Sequence, residues 1–180
     1  NKWTLKLEHK PVIAGRLHPY LNRLMWSHYA NGLSGICLEF DASALYQSLQ
    51  SLNPLNTITF SAICYSEERP LIDMFDFMEQ TYLKNSSKGD GVAMALVEAK
   101  NTKSSVWAYE NEFRFKALNA VNAQLSYSPK VIKAAYFGQR LTRDDKAKYQ
   151  KILNELGVTN LQEVVLEPHS FKLKAIPLVI

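Results

Sequence analysis

Residues 131–157 read VIKAAYFGQRLTRDDKAKYQKILNELG and combine a strand pattern with a helix pattern. The apolar run at 131–137 predicts a strand, and Gly138 predicts the turn that follows it. Two more apolar segments, LQEVVLEP at 161–168 and SFKLKAIPLVI at 170–180, predict closing strands. Strands and helices in irregular alternation indicate an α+β fold.

Capping residues predict where two helices begin. Thr142 is followed three residues later by Asp145, a pattern similar to a capping box. The helix that starts there should run to Glu155 and end at Gly157. Asp41 is expected to cap a second helix.

The rest of the chain has apolar residues at the spacing of helices or strands. We expect strands at 36–40, 57–65, 106–116 and 124–127, helices or helical turns at 19–30, 41–52, 70–83 and 92–100, and a loop at 119–122. In the strand at 57–65, alternation predicts a shared face for Ile58, Phe60, Ala62 and Cys64. Because no repeat or linker separates these elements, we expect a single domain over residues 1–180. Its sheet should be mixed or largely antiparallel and curved, with packed helices.

Composition limits the class of protein. The 180 residues are 47% hydrophobic and 21% charged, which is typical of a folded globular chain. The histidines and cysteines follow no zinc-binding spacing, and no Gly-rich phosphate loop is present, so we expect no metal, no P-loop and no Rossmann site. Cys37 and Cys64 lie in apolar alternating runs and are expected to be buried free thiols.

The sequence contains no apolar run of about 18 residues, the length of a membrane span, and begins without the apolar stretch of a secretory signal. We therefore expect a cytoplasmic protein with no membrane partner. Its first residue is Asn rather than Met, so an upstream segment is expected to be missing.

The net charge of +4 is unevenly distributed. Residues 1–100 carry 9 Lys and Arg against 10 Asp and Glu, whereas residues 101–180 carry 12 against 7. A basic C-terminal part suits an anionic partner such as a dinucleotide, RNA or DNA. The lysines at 146, 148 and 151 are more simply explained as a solvated helix face.

Residues 107–116, WAYENEFRFK, alternate aromatic and charged side chains. On a strand, Glu110 and Glu112 would share a face at a separation of about 7 Å, with Arg114 next to them. Such a carboxylate pair can stabilise positive charge that develops on a sugar carbon. The same pattern is also typical of an ordinary strand with one face in water, and both interpretations stay open.

A second group of candidate residues lies at Trp26, His28 and Tyr29, just before a Gly-containing turn. Two aromatic rings and an imidazole can stack on a flat ligand and donate hydrogen bonds to a ribose or phosphate. Core packing of the two aromatic side chains explains the pattern equally well.

Together the two groups resemble a known family. MWSHYA at 25–30 and GICLEFD at 35–41 are followed by the spaced residues Lys103, Trp107, Tyr109, Glu110, Glu112 and Arg114, and then by AAYFG at 134–138. These motifs resemble an uncharacterised bacterial family, domain of unknown function 2971, over about residues 22–176. Family members begin with a further segment that we do not find here, and usually carry a second His in the turn where this chain has Leu33 or Ser34.

The order of these parts is also similar to ADP-ribosyltransferase-like folds, and that similarity implies NAD as the ligand. It implies that Glu112 binds the nicotinamide-ribose 2′-hydroxyl and stabilises an oxocarbenium-like transition state, and that Glu110 orients the acceptor. The residues it implies for NAD binding are Trp26, His28, Tyr29, Lys103 and Arg114.

Three hypotheses follow from the sequence. The first is an NAD-using transferase or glycohydrolase of a toxin or phage-defence system, acting on protein or nucleic acid. The second is a non-catalytic sensor domain that binds a nucleotide or a partner through the same side chains. The third is a structural module in which these residues hold the sheet together. The oligomeric state does not follow from the sequence.

Overall fold

The computed structural model describes residues 18–71, 75, 97–118 and 124–179 of the chain. Its helices include α1 (Arg23–Tyr29), α2 (Ala42–Leu52) and α3 (Arg143–Glu155), and residues 97–101 are also helical. Its strands include β1 (Ile36–Phe40), β2 (Thr57–Ala62), β3 (Cys64–Ser66), β4 (Thr102–Ser104), β5 (Phe113–Leu118), β6 (Ile132–Gly138), β7 (Leu161–Leu166) and β8 (Leu173–Pro177). Short 3-10 helices span Pro19–Leu21, Ser105–Glu110 and Pro129–Val131. The predicted α+β class is confirmed.

The largest described sheet has the strand order β1-β6-β7-β8. Strand β6 pairs antiparallel with β1 and parallel with β7, and β7 pairs antiparallel with β8. The expected mixed sheet is therefore confirmed. Two smaller sheets pair β2 with β5, and β3 with β4 in parallel.

Strand β6 is one of the two inner strands of the largest described sheet, and side chains on both of its faces are buried. Ala135 and Phe137 pack in one apolar cluster, with Leu153 of α3. Ala134 and Tyr136 pack in another, with Trp26 of α1. Alternating side chains of one strand thus reach two cores, which explains why its sequence is apolar at consecutive positions.

The chain divides into two compact units. Among the described residues, unit 1 contains those within 60–115, and unit 2 contains 18–59 and those from 116 onward. The prediction of a single domain over 1–180 stays a prediction. No helix of the described residues has the length and apolar character needed to cross a membrane.

Both predicted helix caps are confirmed. The side chain of Asp41 accepts a hydrogen bond from the Ala44 N–H at 2.9 Å. The Thr142 hydroxyl accepts one from the Asp145 N–H at 3.1 Å, and α3 is followed by Gly157, whose φ is +82°. Local sequence is enough to locate these ends because each cap satisfies a backbone donor within its own helix.

The predicted strand at 106–116 is wrong in its first half. Residues 105–110 form a 3-10 helix, Asn111 adopts a left-handed conformation with φ +45°, and β5 begins only at Phe113. The predicted strand at 57–65 is interrupted at Ile63, which is buried, whereas Ala62 and Cys64 are exposed. The expectation of a buried Cys64 is therefore wrong.

The predicted strand at 124–127 is also wrong, since these residues have no regular structure. Its Ser126 instead uses its backbone to bind the Asn53 side chain. The Asn53 amide donates to the Ser126 carbonyl at 2.8 Å, and the Ser126 N–H donates to the Asn53 side-chain oxygen at 3.0 Å. Most of the predicted helices at 70–83 and 92–100, and the predicted loop at 119–122, lie outside the described residues.

Candidate functional site

Four charged side chains meet in unit 1 and are called the charge cluster here: Lys103, Glu110, Glu112 and Arg114. The two glutamates are the inner members, since Glu110 is 2% exposed and Glu112 is 4% exposed. The cations are the outer members, with side chains that are 22% exposed in Lys103 and 34% exposed in Arg114. Buried carboxylates of this kind need direct cationic partners, because desolvation of an unpaired charge is costly.

Lys103 connects the two carboxylates. Its ammonium donates to Glu110 Oε2 at 2.6 Å and lies 3.5 Å from Glu112 Oε2. The same ammonium lies 4.8 Å from the ring centroid of Trp107, over the ring face, in a cation–π contact. Lys103 is thus fixed by two charges and one aromatic surface.

Arg114 binds Glu112 through two hydrogen bonds. Its Nε donates to Glu112 Oε1 at 2.5 Å and its Nη2 donates to Oε2 at 3.1 Å. Its Nη1 donates to the Lys100 carbonyl at 3.1 Å. The hydrogen bonds with Glu112 raise the pKa of Arg114 above its ordinary value. The two-point contact fixes the plane of the guanidinium, which is what distinguishes Arg from Lys in ion pairs.

Local backbone structure brings the cluster together. Lys103 lies in β4, and the 3-10 helix that follows ends at Glu110, so the chain turns back within seven residues. Asn111 then takes its left-handed conformation, and its N–H donates to the Ala108 carbonyl at 3.1 Å. Asn tolerates this conformation better than most residues. Glu112 and Arg114 are two residues apart and share a side of the chain, as the sequence predicted.

Tyr65 of β3 also belongs to the surroundings of the cluster. Its hydroxyl accepts a hydrogen bond from the Glu112 N–H at 2.8 Å. Burial raises the pKa of Tyr65, and the charges of the two glutamates raise it further, while the hydrogen bond from Glu112 and the charge of Lys103 oppose these effects. The sequence did not point to Tyr65, because it lies in an ordinary alternating strand pattern and meets Glu112 only through a contact 47 residues along the chain.

The site geometry corrects one interpretation of residues 107–116. An ordinary strand would leave Glu110 and Glu112 in water, yet both are buried. They do come together, but through the ammonium of Lys103 and a 3-10 turn rather than through alternation on one strand. The sequence therefore identified the partners and missed the structure that joins them.

The other predicted site residues, Trp26, His28 and Tyr29, lie on α1 in unit 2. Trp26 is a core residue, 3% exposed, whose Nε1 donates to the Tyr20 carbonyl at 2.8 Å. His28 and Tyr29 are exposed, with their rings edge to face at 6.4 Å. Core packing thus accounts for Trp26, and the ligand-binding roles of all three stay predictions.

The chemistry open to the charge cluster follows from its free donors. Within the described residues, the contacts of Arg114 use three of the five N–H groups of a guanidinium. Lys103 directs two of its three ammonium hydrogens at most towards the two glutamates. The groups left to meet a ligand are therefore cationic donors, which suit phosphate or carboxylate oxygens. No group of three or more His, Cys, Asp or Glu side chains in the described ranges is arranged to hold a metal ion.

The fold and the charge cluster define an α+β protein with a buried, charge-balanced network of two cations and two carboxylates. The chain belongs to the family described as Protein of unknown function (DUF2971), whose sequence model matches residues 25–115. This range is shorter than the expected 22–176, but it contains every predicted site residue of both units. No curated protein and no solved structure matches the chain. The similarity to ADP-ribosyltransferase-like folds is not shown by these comparisons.

Proposed function

We propose that this chain is a nucleotide-binding protein whose charge cluster holds the phosphates of the ligand. The observation that carries the proposal is the arrangement of the cluster: its carboxylates are inside and its cations are outside, each cation fixed by a buried carboxylate. Cations that are already oriented lose less conformational freedom on binding than free surface side chains do. Phosphate groups match both the charge and the planar donors of Arg114.

NAD is the ligand that we propose, because a dinucleotide combines a diphosphate with flat rings. Trp107 lies next to the cationic donors, with its ring 4.8 Å from the Lys103 ammonium. Its ring lies 6.0 Å from that of Tyr109, so aromatic surface adjoins the charged groups. Aromatic rings of this kind stack on nucleobases with little dependence on their identity.

The binding test compares two charge-conserving substitutions. Arg114→Lys keeps one positive charge beside Glu112 but removes the paired donors, so we expect NAD to bind at least about tenfold more weakly, a loss of about 1.4 kcal/mol. Arg143→Lys changes an exposed residue of α3 in the same way and should leave affinity unchanged. Titration calorimetry measures both, and thermal unfolding verifies that each variant is folded.

Inorganic pyrophosphate serves as a second probe. If phosphates provide the main contacts, pyrophosphate should compete with NAD, and both affinities should fall as salt increases. Wild-type protein that binds neither NAD nor pyrophosphate at millimolar concentration would refute the proposal. Equal affinities for NAD in the two Arg variants would refute the assignment of the site.

A second candidate function is cleavage of the nicotinamide–ribose bond, with transfer of ADP-ribose to water or to a protein or nucleic-acid acceptor. The paired carboxylates favour it, since fixed negative charge lowers the energy of an oxocarbenium-like transition state. In the free protein both oxygens of Glu112 accept from Arg114. Catalysis would therefore require the phosphates of NAD to draw the guanidinium away from Glu112.

Release of nicotinamide from NAD tests this second candidate. Glu112→Gln should reduce the rate at least about 100-fold, because it removes the negative charge at the reacting sugar. Glu163→Gln is the matched control, since Glu163 pairs with Lys146 at 2.7 Å in unit 2 and should leave the rate unchanged. Wild-type protein that binds NAD but releases no nicotinamide would exclude the enzyme and favour a sensor.

A further inference from the structure

Tyr65 connects the two sides of the charge cluster. In the parallel pair of β3 and β4, Tyr65 is in register with Lys103. Its hydroxyl accepts from the N–H of Glu112 at 2.8 Å. Tyr65 therefore pairs through its strand with the strand of Lys103 and binds the Glu112 N–H through its side chain.

The backbone carbonyl of Glu112 is also hydrogen-bonded. Its carbonyl accepts from the Ile63 N–H at 2.9 Å. Glu112 precedes β5 and follows the left-handed Asn111, so its N–H finds its acceptor in a side chain rather than in a strand carbonyl. The position of the Glu112 carboxylate thus depends on the segment from Ile63 to Tyr65.

We infer that the Tyr65 hydroxyl is a positioning group of the nucleotide site, which fixes Glu112 and thereby the direction in which Arg114 presents its guanidinium to a phosphate. This inference rests on the proposed function. Tyr65 acts through Glu112 and makes no contact with the ligand. A tyrosine phenol is neutral at physiological pH, and burial raises the pKa of Tyr65 further, so no negative charge is added beside the two glutamates.

The direct test is the hydroxyl deletion Tyr65→Phe, which keeps the ring and its packing. We expect NAD to bind about fivefold more weakly, the effect of losing one hydrogen bond. In ¹⁵N NMR spectra, the Nε–H resonance of Arg114 should shift and exchange faster with solvent. Tyr46→Phe is the matched control, because the Tyr46 hydroxyl bonds within unit 2: it accepts from Gln50 at 3.0 Å and donates to the Ile58 carbonyl at 3.4 Å.

A double substitution separates positioning from a general structural role. If Tyr65 acts through Arg114, Tyr65→Phe should have little further effect on affinity in an Arg114→Lys background. A side chain that merely stabilises unit 1 would weaken binding by the same factor in both backgrounds. Additive effects would therefore overturn the inference.

The outcomes distinguish this inference from the proposed function. If Arg114→Lys weakens NAD binding while Tyr65→Phe changes neither affinity nor the Arg114 resonance, the inference is overturned and the function stands. If wild-type protein binds no NAD, the function fails. In that case the Arg114 resonance in the Tyr65→Phe variant still tests the positioning role. A shifted resonance supports the role of Tyr65 in orienting the guanidinium, and an unchanged resonance overturns the inference as well.

Discussion

Gly138 is required by a close approach between two backbone segments. A Cβ atom at this position would lie 2.1 Å from the Leu33 carbonyl oxygen. That oxygen accepts from the Arg140 N–H at 2.9 Å, and Leu33 itself has φ +70°, so the turn is fixed on both sides. A side chain at 138 therefore meets backbone that has little room to move.

We expect Gly138→Ala to lower the free energy of unfolding by about 3 kcal/mol or more, because a steric clash with the backbone cannot be relieved by a rotamer change. Gly157→Ala is the comparison. Gly157 has φ +82°, a conformation that favours glycine, but a Cβ there would meet no atom within 4 Å. Only the backbone strain of alanine remains, so the cost should be about 1 kcal/mol. Urea unfolding measures both values. Equal costs would show that the clash is relieved.

The two cysteines should differ sharply in reactivity. Burial raises the pKa of Cys37 to about 11, with a further contribution from the charge of Glu39, whereas Cys64 is exposed. At pH 8 we expect Cys37 to react with a maleimide at least about 100-fold more slowly than a cysteine of an unfolded chain, since the thiolate is the reactive form. Cys64→Ser protein should then be nearly inert until urea is added. Rapid labelling of that variant in the folded state would contradict this prediction.

At the scale of elements, the caps and the central strand could be predicted from the sequence. Asp41 and Thr142 satisfy backbone donors three residues away, and β6 carries its own apolar signal. The 3-10 helix before β5 could not be predicted, because it depends on the pairing of Glu110 with Lys103 and on the contact of Glu112 with Tyr65. Alternation of charged and aromatic residues, taken alone, favoured a strand there.

The four members of the charge cluster could be predicted from the sequence, whereas their arrangement and the contact with Tyr65 could not. Residue type and spacing selected Lys103, Glu110, Glu112 and Arg114. Glu112 is 4% exposed and ion-paired, so a substitution there is expected to lower stability, whereas substitution of an exposed glutamate usually has little effect. Position along the chain does not reveal which side chains are inside, since that depends on partners in other elements.

The N-cap of α2 gives a prediction about pH. The N–H of Ala44 lowers the pKa of Asp41 below its ordinary value of 3.8, and a hydrogen bond from Lys133 lowers it further. The folded chain then binds the proton less strongly than the unfolded chain does. The stability contributed by the ionised cap is therefore present above pH 3.8 and is lost as the pH falls through the lower, folded-state pKa.

We expect Asp41→Ala to cost about 1 kcal/mol at pH 7, because one backbone donor loses its acceptor. Asp41→Asn keeps an acceptor oxygen but cannot ionise, so it should cost less. The difference between wild type and Asp41→Asn should shrink as the pH is lowered below 3.8. Urea unfolding at pH 7 and pH 3 measures it. A difference that stays constant would contradict an ionised cap.

At the scale of the whole molecule, the family match and the sheet cover different parts of the chain. The matched range, 25–115, includes the charge cluster and residues 25–29 of α1, but only β1 of the four strands in the largest described sheet. Strands β6, β7 and β8 follow it. The charge cluster is balanced, so the basic excess of residues 101–180 lies beyond the matched range, where residues 116–180 carry 10 Lys and Arg against 5 Asp and Glu.

The two compact units should differ in their response to damage at the charge cluster. Glu110→Gln removes the closest counter-charge of Lys103, whose side chain is 22% exposed and still lies 3.5 Å from Glu112, so we expect a cost of about 1–3 kcal/mol. If the units open separately, amides of unit 1 such as those of Ile63 and Glu112 should lose protection from hydrogen exchange first. The amides of β6 should stay protected, because both faces of that strand are covered within unit 2.

Hydrogen exchange followed by mass spectrometry measures this difference peptide by peptide. Glu163→Gln, which breaks the ion pair with Lys146 in unit 2, is the control and should leave the unit 1 amides unchanged. Equal loss of protection in β6 and around Glu112 after Glu110→Gln would mean that the chain unfolds as one cooperative domain. The two compact units would then differ in packing but would not unfold separately. Cooperativity depends on the free energy of each partly open state.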